Sequence, residues 1–276
     1  MSATTTPALL EIAAETDVGL IRNLNEDSIA TDARLGLLVL ADGMGGYKAG
    51  NVASELATRA VREVMDEGLK KDAGRDVGTL ARKAVKAANR IVFQESQKLP
   101  RRGAGTGQEQ LMGSTVALLM LRDGRVTIAH VGDSRIYRLR NGRLELLTHD
   151  HSILQEQIDL GLVSVREAET SHNRHLVTRG LGLHADVEVS LGVHEARIGD
   201  VYLLCSDGLN DMVDDADIEL VLNSLQANLP LAAKQLVMIA NDNGGEDNVS
   251  VILAKVGEQP SASGKIKAFF CGLFGR

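Results

Sequence analysis

Acidic side chains recur next to small residues at the ends of apolar runs: Glu26 and Asp27 in RNLNED, Asp42 in ADGMGG, Asp133 in HVGDSR, Asp207 in CSDG and Asp247 in GEDN. One such carboxylate is most simply a solvated turn residue, and Asp42 alone reads equally well as an Asp-Gly turn after a core strand. A set that terminates successive strands is different. Neighbouring strands bring their ends together, and gathered carboxylates repel unless cations sit between them. All-oxygen donors with water suit Mg²⁺ or Mn²⁺, whereas Zn²⁺ takes His or Cys. Two such ions can share a hydroxide for in-line attack on phosphorus. Arg22, four residues before Glu26, carries a guanidinium that can grip a phosphoryl group bidentately; without the carboxylates it would read as a surface arginine.

The elements that must deliver these residues follow from patterning. LGLLVLADGMGG, residues 35–46, is a buried strand that ends in Asp42 and enters a glycine-lined turn, where backbone can approach a metal or phosphate closely. Short strands are expected over Glu11–Asp17 and Ser28–Asp32, and three strands in quick succession point to one antiparallel sheet. Ala49–Asp66 is an amphipathic helix with Val52, Leu56, Ala60 and Val64 beside Ala53, Ala57, Val61 and Met65. A second helix carries Leu80, Ala84, Ala87, Ala88 and Ile91 and ends before Pro100, and the glycine-rich segment 101–110 reads as a mobile loop. Residues 114–148 then form a meander with hairpin turns at Asp123-Gly124, Gly132-Asp133 and Asn141-Gly142. Residues 151–184 read as a polar, partly helical excursion outside the core and beside the site. Strands resume in VEVSLGVHEA and DVYLLCSDG, helices follow over Asp214–Leu225 and Leu231–Asn241, and NVSVILAKV closes the sheet. This order favours an α+β fold, two antiparallel sheets flanked by helices, over a parallel βαβ sheet.

Composition sets the bounds. A chain of 276 residues with 44% hydrophobic and 24% charged residues builds a full core, and with aromatics at 3% and no Trp that core is Leu, Val, Ile and Ala. Thirty basic against 37 acidic residues give a net charge of -7, which argues against nucleic acid as a partner. Two cysteines, Cys205 and Cys271, make neither a disulfide framework nor a ligand cluster, and no apolar run reaches the roughly 20 residues of a membrane span. A cytoplasmic location is the expectation.

The ordered set RNLNED, ADGMGGYKAG, MGSTVA, HVGDSRIYRL, LTHDHS, LLCSDGL and GEDNVSVIL closely resembles the metal-dependent protein phosphatases of the protein phosphatase 2C type in their bacterial form, over about residues 11–256. The resemblance implies a β-sandwich flanked by helices and a Mn²⁺- or Mg²⁺-dependent serine/threonine phosphatase opposing a Ser/Thr kinase. It implies that Asp42 bridges two ions, with Glu26 and the Gly43 carbonyl on one and Asp207 and Asp247 on the other. Asp27 would stand behind the ligands, Asp133 with Asp207 would hold a third ion, Arg22 would bind phosphate, and Asn248 and Ser114 would be framework residues. The segment around 151–180 resembles the family's variable flap. Relatives often place His just after the Asp-Gly pair, where this chain has Met44 and Tyr47; a metal-bound water or Tyr47 is then left to protonate the leaving hydroxyl.

Other signals lead elsewhere or nowhere. GMGGYK lacks P-loop spacing, Ser134 and Ser206 lie in no GxSxG elbow, and His149 and His151 have no further ligands at metal-binding spacing. Residues 1–256 read as a catalytic domain, and residues 257–276 as a linker and an amphipathic tail. Ile266, Phe269, Phe270, Leu273 and Phe274 recur there at helical spacing among basic residues, fit for docking on the domain or for contact with a membrane or a partner. Two rivals stay in play: a non-catalytic phosphoprotein-binding module on the same fold, and a phosphohydrolase acting on small molecules.

Overall fold

A computed structural model describes residues 9–45, 49–99, 112–164, 167 and 176–257. Tyr47, Pro100, the segment 101–110 and the tail lie outside the described residues.

The chain runs β1 (Leu9–Asp17), β2 (Ser28–Asp32), β3 (Leu37–Ala41), β4 (Gly43–Gly45), α1 (Ala49–Lys71), α2 (Val77–Ser96), β5 (Met112–Ser114), β6 (Val116–Arg122), β7 (Arg125–Val131), β8 (Arg135–Arg140) and β9 (Arg143–Leu146). It continues through α3 (Ile153–Asp159), β10 (Ser190–Glu195), β11 (Val201–Cys205), α4 (Asp207–Asn210), α5 (Asp215–Leu225), α6 (Leu229–Asp242) and β12 (Val249–Gly257). The strands form two five-stranded antiparallel sheets, ordered β1-β12-β11-β8-β9 and β10-β7-β6-β3-β2, with a small β4-β5 ribbon.

Alternation explains the layering. In β3, Leu38 and Leu40 enter the core between the sheets, with Leu119, Ile128, Tyr202, Leu204 and Ile252. Leu37, Val39 and Ala41 point the other way, into the core beneath α1 and α2. A third core lies between the other sheet and α5 and α6, around Leu203, Leu222, Leu236 and Leu253. Both faces of β3 are covered, so all five of its residues are buried.

Four expectations are corrected. β1 does not join β2 and β3; it pairs with β12 in the other sheet, from Leu9↔Gly257 to Asp17↔Val249. The turn at Gly132-Asp133 is not a hairpin, because β7 and β8 belong to different sheets and the chain crosses between them there. Gly132 has φ 105, and a Cβ on it would sit 2.6 Å from Thr115 Cγ2, so a residue that resembles a hairpin glycine packs against the opposing loop instead. Gly43–Gly45 do not form a free turn but pair with Met112–Ser114. The 151–184 excursion does not stay out of the core: Leu181 is fully buried in the cluster under α1 and α2 and bridges Ser114.

Helix boundaries follow their caps. Asp76, Ser152, Asp214 and Asn228 each accept an amide hydrogen bond at the start of α2, α3, α5 and α6, and Pro230 fits the first turn of α6, where no amide bond is lost. The buried stripe of α1 runs through Ala53, Ala57, Ala60, Val61 and Met65. Val52 and Ile91, expected to be buried, are 40% and 39% exposed, because alanine-rich faces pack the helices closely and leave the larger side chains at the stripe's edge.

Candidate metal centre and phosphate site

The strand ends meet at one end of the sandwich, around a pocket of about 230 Å³ lined by Arg22, Glu26, Asp42, Gly43, Asp133, Asp207, Asp247 and Asn248, together with Met44 and Thr115. Asp42 follows β3, and its backbone is fixed on both sides: its amide donates to Thr115 Oγ1 at 2.9 Å, while its carbonyl accepts from the Thr115 amide at 2.8 Å and Ser114 Oγ at 2.9 Å. Asn248 does the same for the opposite wall. Its Oδ1 accepts the Glu26 amide at 2.8 Å, its Nδ2 donates to the carbonyls of Val18 and Leu24, and its amide donates to Asp247 Oδ1. Four hydrogen bonds on one residue thus hold the arginine loop and Asp247 in one frame.

Close backbone approach shapes the floor. A Cβ on Gly43 would fall 2.2 Å from the Gly50 carbonyl and 2.5 Å from that of Glu26. A Cβ on Gly50 would fall 2.7 Å from both Glu26 Oε1 and the Gly43 carbonyl. The amides of Gly50 and Asn51, at the start of α1, favour the charged form of the Glu26 carboxylate and partly offset the rise that burial causes. Gly50 was not singled out in the sequence; a glycine in the first turn of a helix, eight residues after Asp42, was the available signal.

Burial and like charge act together here. Asp42 and Asp133 are held well above the ordinary carboxylate range by burial first, then by neighbouring carboxylates, with Asp207 acting on both. Asp27 is pushed up to about 7, chiefly by burial, against the pull of the Ser250 and Ser206 hydroxyls. Ser206 Oγ donates to Asp27 Oδ2 at 2.8 Å, and Asp27 Oδ1 has no hydrogen-bond partner. Glu26 and Asp247 are raised, again mainly by burial, with Arg22 opposing. Such a set is stable as anions only with compensating cations.

The donor chemistry fits Mg²⁺ or Mn²⁺: carboxylate and carbonyl oxygens line the pocket, and among the described residues no His or Cys does. Among the described residues no three acidic, His or Cys side chains stand close enough to enclose one ion by themselves. Arg22, half exposed, lines the pocket and bonds Asp247 Oδ2 through Nη2 at 2.6 Å. Val177 also lines the pocket. It belongs to the returning stem of the flap, pinned to the outgoing stem by Ile153 N to Leu176 O and Thr178 N to His151 O, each 2.8 Å. Thr115, Val177 and Ser206 were not anticipated as parts of the site, because only long-range packing brings them there. Ser134, which has no nucleophile's setting, hydrogen-bonds Thr115 Oγ1 at 2.6 Å.

A two-sheet sandwich whose strand ends collect acidic oxygens beside an arginine defines a site with the donors for hard divalent cations and a guanidinium able to pair with an anion. The chain belongs to the protein phosphatase 2C family, whose profile matches residues 22–238. It is 39% identical over 249 residues to the serine/threonine protein phosphatase PstP of Mycobacterium tuberculosis, covering 90% of this chain and 45% of that protein. The chain therefore spans less than half the length of that relative. It is 35% identical over 244 residues to the serine/threonine phosphatase stp of Listeria monocytogenes, covering 87% of this chain and 93% of that one. The solved catalytic domain of PstP in complex with two manganese ions superposes with a TM-score of 0.79 at 37% identity, over 91% of this chain and all of that one.

Proposed function

We propose that the chain is a Mn²⁺- or Mg²⁺-dependent phosphatase that hydrolyses phosphoserine and phosphothreonine in proteins and opposes a Ser/Thr kinase in cytoplasmic signalling. The observation that carries this is the convergence of Glu26, Asp42, Asp207 and Asp247 with Arg22 on one pocket. Asp42, Glu26 and the Gly43 carbonyl, with Asp207 and Asp247, would hold two ions, and Asp133 with Asp207 a third. When bound, such ions supply Lewis-acid charge and an activated water for attack on phosphorus. The chain's own residues do the rest. Arg22 exchanges Asp247 for the phosphoryl oxygens and orients the ester. Asn248 and Thr115 keep the carboxylates in register, and the buried Asp27–Ser206 pair supports the wall behind them. Met44 lines the pocket where relatives often have His, and it holds no transferable proton; Tyr47, outside the described residues, and solvent are the remaining donors for the leaving hydroxyl.

Residues 1–256 constitute the catalytic domain in this reading, and the tail from 257 serves contact with a membrane surface or a partner. Among the described residues no helix is long and apolar enough to cross a membrane. A non-catalytic phosphoprotein-binding module has no need of the full acidic set, and its presence weighs against that alternative. The test compares a phosphothreonine peptide with free phosphothreonine and nucleotides as substrates in Mn²⁺. Preferential release of phosphate from the peptide, abolished by chelator, is the expected result. Peptide binding without turnover would support the module, and turnover of only the small molecules would support the other rival.

A further inference from the structure

A second, larger cavity of about 720 Å³ opens beside the metal pocket, within the range of about 300–1,000 Å³ typical of ligand-binding clefts. Asp133 and Asp207 line both cavities, so the two adjoin. Leu154 and Ile158 of α3 form one wall, and Met212 and Val213 belong to the other, which runs from the end of α4 into the first turn of α5. This apolar lining carries strong negative charge along one side. Asp214, Asp215 and Asp217 are exposed, line the groove, and pair with no cation among the described residues. Their hydrogen-bond partners are neutral: Asp214 accepts the Asp217 amide at 2.8 Å and Asp215 accepts Tyr137 Oη at 3.0 Å. Among the described residues the one basic side chain lining the groove, Arg135, is already committed to Asp150 through Nε at 3.0 Å and Nη2 at 2.8 Å. At the junction sits Asp133, 8% exposed.

Helix capping and the α5 dipole explain why acids are tolerated at these positions. They do not explain an apolar-walled groove beside the catalytic pocket in which the one cation among the described residues is neutralised. We propose that this groove is the substrate-sequence subsite: it takes the stretch of polypeptide flanking the phosphorylated residue and selects stretches bearing Lys or Arg around an apolar side chain. The proposal rests on the phosphatase reading above. Once the phosphoryl group is held at Arg22, the adjoining chain of a protein substrate needs a path out of the pocket, and this groove supplies one of opposite charge to a basic segment. Because the attraction lies between exposed groups, it is screened by salt.

The test uses the full chain with Mn²⁺ and three phosphothreonine peptides that differ only in flanking residues: arginine, alanine or glutamate on both sides. kcat/KM for the arginine peptide should exceed that for the alanine peptide by roughly tenfold at low salt, the scale of a few exposed ion pairs, with the glutamate peptide lowest and the spread narrowing at high salt. The Asp214→Asn/Asp217→Asn double variant keeps a capping side chain at Asp214 and should lose most of the spread, while its turnover of p-nitrophenyl phosphate, which has no flanking chain, stays at the wild-type level. Equal rates on the three peptides in the wild type, or a spread that survives the double substitution, would overturn the groove proposal and leave the phosphatase reading standing. Absence of p-nitrophenyl phosphate turnover in the wild type would remove both.

Discussion

At the scale of single residues, the site is built as much by what glycine omits as by what aspartate supplies. Asp42 was legible because a buried apolar run ending in Asp-Gly has few other uses once four further acidic segments accompany it in the chain. Gly50 was not, since in sequence it is one small residue in a helix that already holds many. Its role is steric: a Cβ there would press on the Glu26 carboxylate and the Gly43 carbonyl, each at 2.7 Å. Helix propensity alone predicts that Gly50→Ala stabilises α1 by about 1 kcal/mol. The contacts predict the opposite for function, a fall in kcat of at least about tenfold, as misplacement of site groups by fractions of an ångström does. Steady-state hydrolysis of p-nitrophenyl phosphate beside a thermal melt separates the two effects, and a variant with unchanged kcat would show that the Glu26 seat is not needed.

At the scale of elements, the flap stems and the Gly132–Asp133 crossing are joined by His151. Its amide donates to the Gly132 carbonyl at 3.0 Å and its Nδ1 accepts the Gly132 amide at 3.1 Å. Its Nε2 meets Ser190 Oγ at 2.9 Å, and its ring stacks on His130 with centroids 4.7 Å apart. That arrangement was illegible in the sequence, where Gly-Asp after a strand resembles any hairpin and the histidines are separated by about twenty residues. Burial lowers both imidazoles, and His151 reaches about 3. The native state therefore holds them neutral, while the unfolded chain binds protons near pH 6.5. The unfolded state gains protons as pH falls through that value, so stability is complete above about pH 6.5 and declines toward pH 3. The melting temperature should fall across that window, and it should fall less steeply in His151→Asn, which retains an acceptor for the Gly132 amide. Equal slopes in the two proteins would place the acid sensitivity elsewhere.

At the scale of the whole molecule, most of the architecture could be read from the chain, because strand period, caps and glycine turns agreed locally. What could not be read was which sheet each strand joins. β1, β2 and β3 follow one another closely yet divide between sheets, a choice made by the burial of both faces of β3 and not by any local signal. The two sheets are also tied at the edge by ionic contacts that sequence does not advertise. Arg140 on β8 bonds Asp200 with Nε at 2.7 Å and Nη2 at 2.6 Å, and the same Nη2 donates to the Glu195 carbonyl on β10 in the other sheet. Burial alone would raise Asp200, but Arg140 and the Arg197 amide outweigh it and the carboxyl is held low. Asp200→Ala leaves a largely buried guanidinium uncompensated and should cost about 3 kcal/mol in urea unfolding; a loss below about 1 kcal/mol would mean that the sheets are held by packing alone. The central claim, that the converging strand ends form a hydrolytic metal centre, is tested most directly with Asp207→Asn. Phosphate release from a phosphothreonine peptide and calorimetric titration of Mn²⁺ are measured on the wild type and the variant, both shown to be folded by circular dichroism. Mn²⁺-dependent turnover is expected in the wild type, with turnover and Mn²⁺ affinity both lost in the variant. Undiminished turnover in the variant, or turnover in the wild type that persists in chelator, would contradict it.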